Sequence, residues 1–291
     1  MPQIAIPVVE RILRPGPHFV KCVESDTFVG LYGGNLFRFN THVAKSRLLW
    51  SLQRGRRVLR NGACVVGSEL LVGDYWQNKD RSDVRIHRIN LATGMASSFL
   101  VFPEGKVRHV HFIQRDPYTG RLWIGTGDED EECLVLSVDL EDPRLQTVGG
   151  GSQRWRAVSV LFTEKSVIWG SDNHEGSNAI YRYDRESGDV HTVGPVIGPV
   201  YYSASVGGHM LFGTTVEKGQ GDQDGFGRLY ALSRSGVLEE VHAERKDRLP
   251  AGLFGYGMFE FADGPDRDGA FWVTLRGFRG GLKSMLCRLV H

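Results

Sequence analysis

Cysteine is sparse. Cys22, Cys64, Cys133 and Cys287 lie far apart with no Cys-x-x-Cys pair, which argues against a dense disulfide framework or a zinc knuckle and leaves reduced thiols in a core. No run approaches the roughly 18 apolar residues of a membrane helix. The opening MPQIAIPVVERILRPG has no basic stretch leading into a long apolar one, so no leader is expected and the cytoplasm is the expected location. Neither sign of charge dominates: 35 Lys+Arg stand against 34 Asp+Glu, a net charge of +1, so no global field draws the chain to nucleic acid or an anionic membrane. The basic stretch RGRRVLR from Arg54 is isolated and reads as a solvated loop. A Gly-x-Ser-x-Gly elbow, a Walker loop, a His-Glu-x-x-His helix and a calcium-binding loop are also missing. Their absence removes the common serine hydrolase, nucleotide triphosphatase, zinc protease and EF-hand readings.

Glycine, in contrast, is abundant, at 37 of 291 residues. Its positions repeat. Strand-like runs ending in glycine or a small-residue turn begin at Thr27 (TFVGLYGG), Leu70 (LLVGDYW), Leu122 (LWIGTGD), Val167 (VIWGSDN), Leu211 (LFGTT) and Phe271 (FWVTLRG). The intervals of 43 to 60 residues lie near the period of about 40 to 50 residues expected of four-stranded propeller blades. Most of these runs follow another strand candidate, such as GACVVGSE or VYYSASVGGH, and all precede a third, such as AIYRYDRESG; most then lead into a fourth, such as DVHTVG. Alternating Ile180 and Arg182 against Tyr181 and Tyr183 fits a half-buried antiparallel strand.

The expected fold is all-β: a six-bladed β-propeller of four-stranded blades forming a single domain over residues 1–291. The last unit has only three strand candidates, and the N-terminal IAIPVVERIL is expected to complete it and close the C-terminal blade. Two stacked β-sandwiches and a five-bladed ring are the rival architectures. The stretch VAKSRLLWSLQRGRRVL also reads as a helix.

In such blades the starts of innermost strands and the ends of second strands meet at one rim. These positions carry Arg60, Arg108, Arg156, His109 and His111, together with Asp74, Trp76, Asp128, Asp172, His174 and Glu217. Arginine at this recurring place suits bidentate recognition of a carboxylate or phosphate. Trp76, Trp155, Tyr201, Tyr202 and Tyr256 offer flat faces for a sugar ring, with Trp155 and Tyr202 the preferred contacts. Trp123, Trp169 and Trp272 sit inside second strands and read as core.

His109 and His111 are two apart on a strand and share a face. Three roles stay open: a general base or substrate contact, a packed core pair, or a metal site completed by His174 or Asp172. No resident cofactor is expected beyond that possible divalent metal. In the acidic run GDEDEEC, at least three of the five carboxylates from Asp128 to Glu132 read as solvated. Asp128 is set apart because Asp74 and Asp172 occupy matching strand ends, and such carboxylates suit acid/base or nucleophile work in glycoside hydrolysis.

The stretch RHVHFIQRDPYTGRLWIGTGDEDEECLVLSVDL, followed by GGGSQRWRAVSVLF and VIWGSDN, resembles the bacterial sialidase-like propeller proteins with BNR or Asp-box repeats, many of them assigned to the glycosyl hydrolases. Ser137-Val138-Asp139 begins such a box, but the expected Gly and Trp are missing and Pro143 intervenes; YRYDRESGDV keeps Asp184 and Gly188 at altered spacing. The resemblance implies an arginine triad (Arg60, Arg108, Arg156), an acid/base at Asp74 or Asp128, and Tyr256 with Glu217 as nucleophile pair. His109 and His111 have no place in that scheme and are closer to a propeller polysaccharide lyase, in which Arg neutralises a uronate carboxylate and His or Tyr takes the C5 proton.

The function expected is therefore a carbohydrate-active propeller, a glycosidase or uronate-type lyase, with an acidic saccharide as partner. Asp128, Asp172, His109, His111 and Tyr256 are the expected catalytic residues, and Arg60, Asp74, Trp76, Arg108, Trp155, Arg156, His174 and Tyr202 the expected substrate contacts. A non-catalytic scaffold binding a protein or glycan is the competing class.

Overall fold

The computed structural model describes residues 18–217, 219–220, 224–262 and 269–288. The described chain falls into two compact units that divide between Phe162 and Thr163. The first contains three antiparallel meanders: β1 (Phe19–Glu24), β2 (Thr27–Tyr32), β3 (Asn35–Asn40) and β4 (Lys45–Ser51); β5 (Ala63–Val66), β6 (Glu69–Gly73), β7 (Val84–Asn90) and β8 (Ala96–Phe102); β9 (His109–Arg115), β10 (Leu122–Gly127), β11 (Leu134–Val138) and β12 (Gln146–Gly150). It ends in β13 (Val160–Phe162).

The second unit carries β14 (Ser166–Gly170), β15 (Asn178–Asp184) and β16 (Val190–Val196), which continue the strand order opened by β13. It then forms β17 (Val200–Val206), β18 (His209–Thr214), β19 (Phe226–Leu232) and β20 (Leu238–Arg245), and finally β21 (Met258–Phe261), β22 (Ala270–Arg276) and β23 (Lys283–Arg288). The fold is an all-β, six-bladed propeller of four-stranded blades, with three strands of the last blade among the described residues. The expected N-terminal closing strand lies outside them.

Each glycine-ending run is a second strand. In several of them the glycine is there because the next blade's inner strand comes too close for a side chain. A Cβ on Gly73 would lie 2.6 Å from the Val110 side chain, and one on Gly170 would lie 2.5 Å from Val200. Alternation then supplies the cores: Val29, Leu31, Leu36, Leu70 and Val72 pack between the first two meanders, Leu71, Ile86, Val110, Ile113 and Ile124 between the next two. In the second unit Leu211, Val216, Phe259, Val273 and Phe278 do the same.

Several hairpins turn on a side chain that accepts the local backbone. Asn90 Oδ1 accepts the Ala92 and Thr93 amides at 3.0 and 2.9 Å, and Asp184 Oδ1 accepts those of Glu186 and Ser187 at 3.0 and 2.9 Å. This Asx-turn chemistry accounts for Asp184 and the glycine that follows at Gly188.

Two sequence expectations are corrected. Lys45–Ser51, part of the helix candidate, is strand β4 paired along β3, because the hairpin partner offers backbone bonds that an isolated helix would have to make without a buried face. Trp272 is 52% exposed rather than core; it lies opposite Leu286, itself exposed, in the three-stranded sheet. Trp123 and Trp169 are buried as expected. Among the described residues no helix is long and apolar enough to cross a membrane.

Candidate functional site

The first unit gathers four of the expected residues around the carboxylate of a fifth, Asp128. Strand β9 begins at His109, and its pleat sends His109 and His111 to the same side. The neighbouring β10 ends at Gly127, so Asp128 emerges beside them. A Cβ on Gly127 would stand 2.5 Å from His111 Cε1, so glycine at this strand end is what admits the imidazole.

The hydrogen bonds set the chemistry of both rings. His109 Nδ1 lies 2.9 Å from the Trp76 carbonyl, and His111 Nδ1 lies 3.3 Å from the Ala157 carbonyl. A carbonyl only accepts, so each Nδ1 carries the proton and donates. The neutral ring then has a lone pair on Nε2. Those two Nε2 atoms are 3.0 Å apart, and they lie 3.2 and 3.1 Å from the same oxygen, Asp128 Oδ1. Three electron-rich atoms so placed repel one another unless a proton or a cation sits among them.

Arginines flank the carboxylate. Arg108 Nη1 donates to Asp128 Oδ2 at 2.8 Å, and Arg156 Nη2 is 3.2 Å from Oδ1. Burial raises the tendency of Asp128 to hold a proton, but the polar groups converging on its two oxygens, the guanidinium groups among them, outweigh it and hold the carboxyl well below the usual carboxylate range. His111 is lowered to about 4, chiefly because burial disfavours its cation, against the pull of Asp128. At neutral pH it is an uncharged imidazole with a free-facing lone pair.

Support comes from rim residues outside the expected catalytic and substrate-binding set. The Tyr75 ring packs on His109 at 4.1 Å between centroids. Gln153 Nε2 donates to the Asp128 carbonyl at 2.9 Å. Glu132 accepts the Asp128 amide at 3.3 Å and is paired with Arg81. The acidic run contained the clue: Glu129, Asp130 and Glu131 are exposed as expected, while Glu132 turns inward.

His109, His111 and Asp128 form a set able to hold a metal ion, their donor atoms all within 4.8 Å of one another. The donor set fits a divalent transition ion: two imidazoles fixed by second partners through Nδ1, and one carboxylate. The third donor of this set is Asp128.

Other expected contacts fall elsewhere. Asp74 is fully buried, bonded to Arg56, to His87 Nε2 at 3.1 Å and to the Arg85 amide at 3.2 Å; it is a structural carboxylate closed to substrate. Trp155 is only 5% exposed, and a Cβ on Gly149 would meet its ring at 2.0 Å, so it packs rather than presenting a face to a sugar. The face of Trp76 is covered by the Arg56 guanidinium at 4.2 Å, while its carbonyl serves His109. Arg60 opens the 3-10 turn Arg60–Gly62 before β5 and is half-buried.

The second unit holds the remaining candidates. Asp172 is buried, and His174 is 41% exposed beside Glu175 at 3.5 Å. Tyr201 lies edge-on to Tyr202 and Tyr256 at 6.1 and 6.2 Å. Burial, then the charges of Asp172 and Glu217, raise its hydroxyl well above the ordinary tyrosine value. Glu217, matched with Tyr256 by the sialidase resemblance, hydrogen-bonds Tyr201 and accepts Thr215 Oγ1 at 2.9 Å.

No protein-family model and no curated protein matches this chain. The sialidase-like resemblance therefore rests on its quoted residues, and the likenesses to solved structures support the propeller class. An oligogalacturonate lyase in complex with manganese superimposes at a TM-score of 0.61 with 13% identity, covering 91% of this chain and 74% of that one. An oligogalacturonate lyase from Vibrio parahaemolyticus gives 0.56 with 11% identity over 89% of this chain and 73% of that one. A chain of a nidogen–laminin complex gives 0.54 with 8% identity over 83% and 82%. At such identities what is shared is the fold.

Proposed function

We propose that this propeller acts on a uronate-containing glycan by lyase-type elimination, at the cluster of Arg108, His109, His111, Asp128 and Arg156, with a divalent cation held by His109 Nε2, His111 Nε2 and Asp128 Oδ1. The observation that carries the reading is the convergence of two guanidinium groups and two imidazoles on the single carboxylate of Asp128. Arg108 and Arg156 supply the positive charge that an anionic ligand would meet, part of it answered by Asp128 and by Glu129, which lies 3.8 Å from Arg108. The likeness to a manganese-bound oligogalacturonate lyase supports the same class of substrate and ion.

When bound, the cation supplies Lewis acidity toward a uronate carboxylate, the group whose neutralisation acidifies C5–H. The chain's own residues do the rest of the positioning. Arg108 and Arg156 bring guanidinium charge to the same carboxylate. His109 and His111, only 3% and 2% exposed, are read as ligands rather than as the general base. Hydrolysis by the Asp74 and Asp128 pair is disfavoured. Asp128 is held ionised by its partners and Asp74 is enclosed, so neither is placed to protonate a leaving oxygen. The four cysteines are thiols, which supports a reducing, cytoplasmic setting.

The test is a panel of acidic oligosaccharides, including oligogalacturonates, incubated with protein loaded with manganese. Elimination yields an unsaturated uronate that absorbs in the ultraviolet, whereas hydrolysis yields a new reducing end without that absorbance. Unsaturated product abolished by His111→Ala carries the proposal. Binding without turnover moves the protein to the scaffold class, and neither binding nor turnover overturns the acidic-glycan reading.

A further inference from the structure

Arg156 and Arg108 hold the same carboxylate through different oxygens. Arg108 Nη1 lies on Oδ2 at 2.8 Å, on the side away from the converging imidazole nitrogens. Arg156 Nη2 lies 3.2 Å from Oδ1, the oxygen that also faces both Nε2 atoms. A cation held by His109, His111 and Asp128 must use Oδ1. The guanidinium of Arg156 and a divalent ion would then crowd one oxygen, with like charges a few ångströms apart in a site where Arg156 is 11% exposed and little water screens them.

From this asymmetry we infer that Arg156 is an internal competitor for the cation: it caps Oδ1 in the cation-free protein, is displaced when the ion binds, and is thereby released to grip the carboxylate of an anionic ligand. Arg108 keeps its bond to Oδ2 in both states and holds Asp128 in place. The inference rests on the cation reading given above and adds a coupling to it. Ion and anion both favour the state with Arg156 off Asp128, so each tightens the binding of the other, and by linkage the factor is the same in both directions.

The experiment is calorimetric titration of manganese chloride into chelator-treated protein, with and without trigalacturonate. Arg156→Gln is expected to bind manganese about tenfold more tightly than wild type, within the usual range of such couplings. Arg108→Gln removes the same charge from the other oxygen and is expected to gain distinctly less, which separates competition for Oδ1 from a general loss of positive charge. Trigalacturonate is expected to tighten manganese binding in wild type, and this gain shrinks in Arg156→Gln. Thermal melts confirm folding, and Arg156→Lys, with a shorter reach, provides a smaller gain in affinity should the Gln variant not fold. Equal manganese affinity in wild type and the Arg156 variants, or equal gains for Arg156→Gln and Arg108→Gln, overturns the inference while leaving the cation site standing. No manganese binding by any variant removes the cation reading and the inference with it.

Discussion

His109 and His111 face each other with Nε2 atoms 3.0 Å apart because each has its Nδ1 turned to a backbone carbonyl, that of Trp76 or of Ala157. The backbone thus decides the tautomer, and the tautomer decides that two lone pairs point at Asp128. A cation relieves that arrangement.

Manganese should accordingly stabilise the folded protein. At a concentration one hundred times the dissociation constant the gain is about 2.7 kcal/mol, read as a rise in melting temperature that a chelator reverses. His111→Ala and Asp128→Asn are expected to lose the rise. A rise of equal size in either variant would place the ion elsewhere.

Gly127→Ala tests the fit around His111. The new methyl would need the space of Cε1, 2.5 Å away, and overpacking of this kind costs about 1–3 kcal/mol. The expected outcome is a lower urea midpoint together with manganese binding weakened by at least about tenfold, since a ligand displaced by an ångström no longer meets the ion. Unchanged binding would show that the ring is not held in place by this contact.

Acid should weaken the cation-free protein in a defined window. His111 titrates at about 4 in the folded state against 6.5 ordinarily, with burial as the main cause. Between those values the unfolded chain binds a proton that the folded chain refuses. The contribution of His111 is therefore fully present above pH 6.5 and is lost as pH falls toward 4, a change on the order of 3 kcal/mol. Urea unfolding of the chelated protein at pH 7 and pH 4.5 is expected to show that loss, reduced in His111→Gln. Equal acid sensitivity in the two proteins would mean that other groups carry it.

Asp74 is expected to matter for stability and not for the ion. Its carboxylate neutralises Arg56 and orients His87 in an enclosed setting, and breaking a buried pair from one side costs about 3–5 kcal/mol. Asp74→Asn should lower the urea midpoint strongly while manganese affinity, measured on the folded fraction, stays within about twofold. A large loss of affinity at unchanged stability would return Asp74 to the site.

The propeller was legible because its repeat is written twice, in strand alternation and in glycines at second-strand ends. Gly73, Gly170 and Gly213 lie under Val110, Val200 and Phe259, so a steric need shared by several blades becomes a spacing in the sequence. The site was legible in kind and less so in detail. His109, His111, Asp128, Arg108 and Arg156 stood out by residue type at recurring strand ends, and the structure brings these five together. Asp74 and Trp155 stood out by the same criteria and prove to be buried, because residue type and strand position do not reveal whether a neighbour has already closed over a side chain. Tyr75, Gln153 and Glu132 lie at the same strand ends, but their roles come from contacts with residues dozens of positions away or are hidden in an acidic run.

By itself the sequence determined the order of strands, the period of the blades and the face shared by His109 and His111, since these follow from local alternation and from the steric demand on glycine. Only the tertiary structure decided which carboxylate the imidazoles meet, which of their nitrogens carries the proton, and which oxygen of Asp128 each arginine holds. Those choices depend on backbone carbonyls and guanidinium groups brought within about 3 Å by packing, where hydrogen bonding and charge are strong enough to set the chemistry.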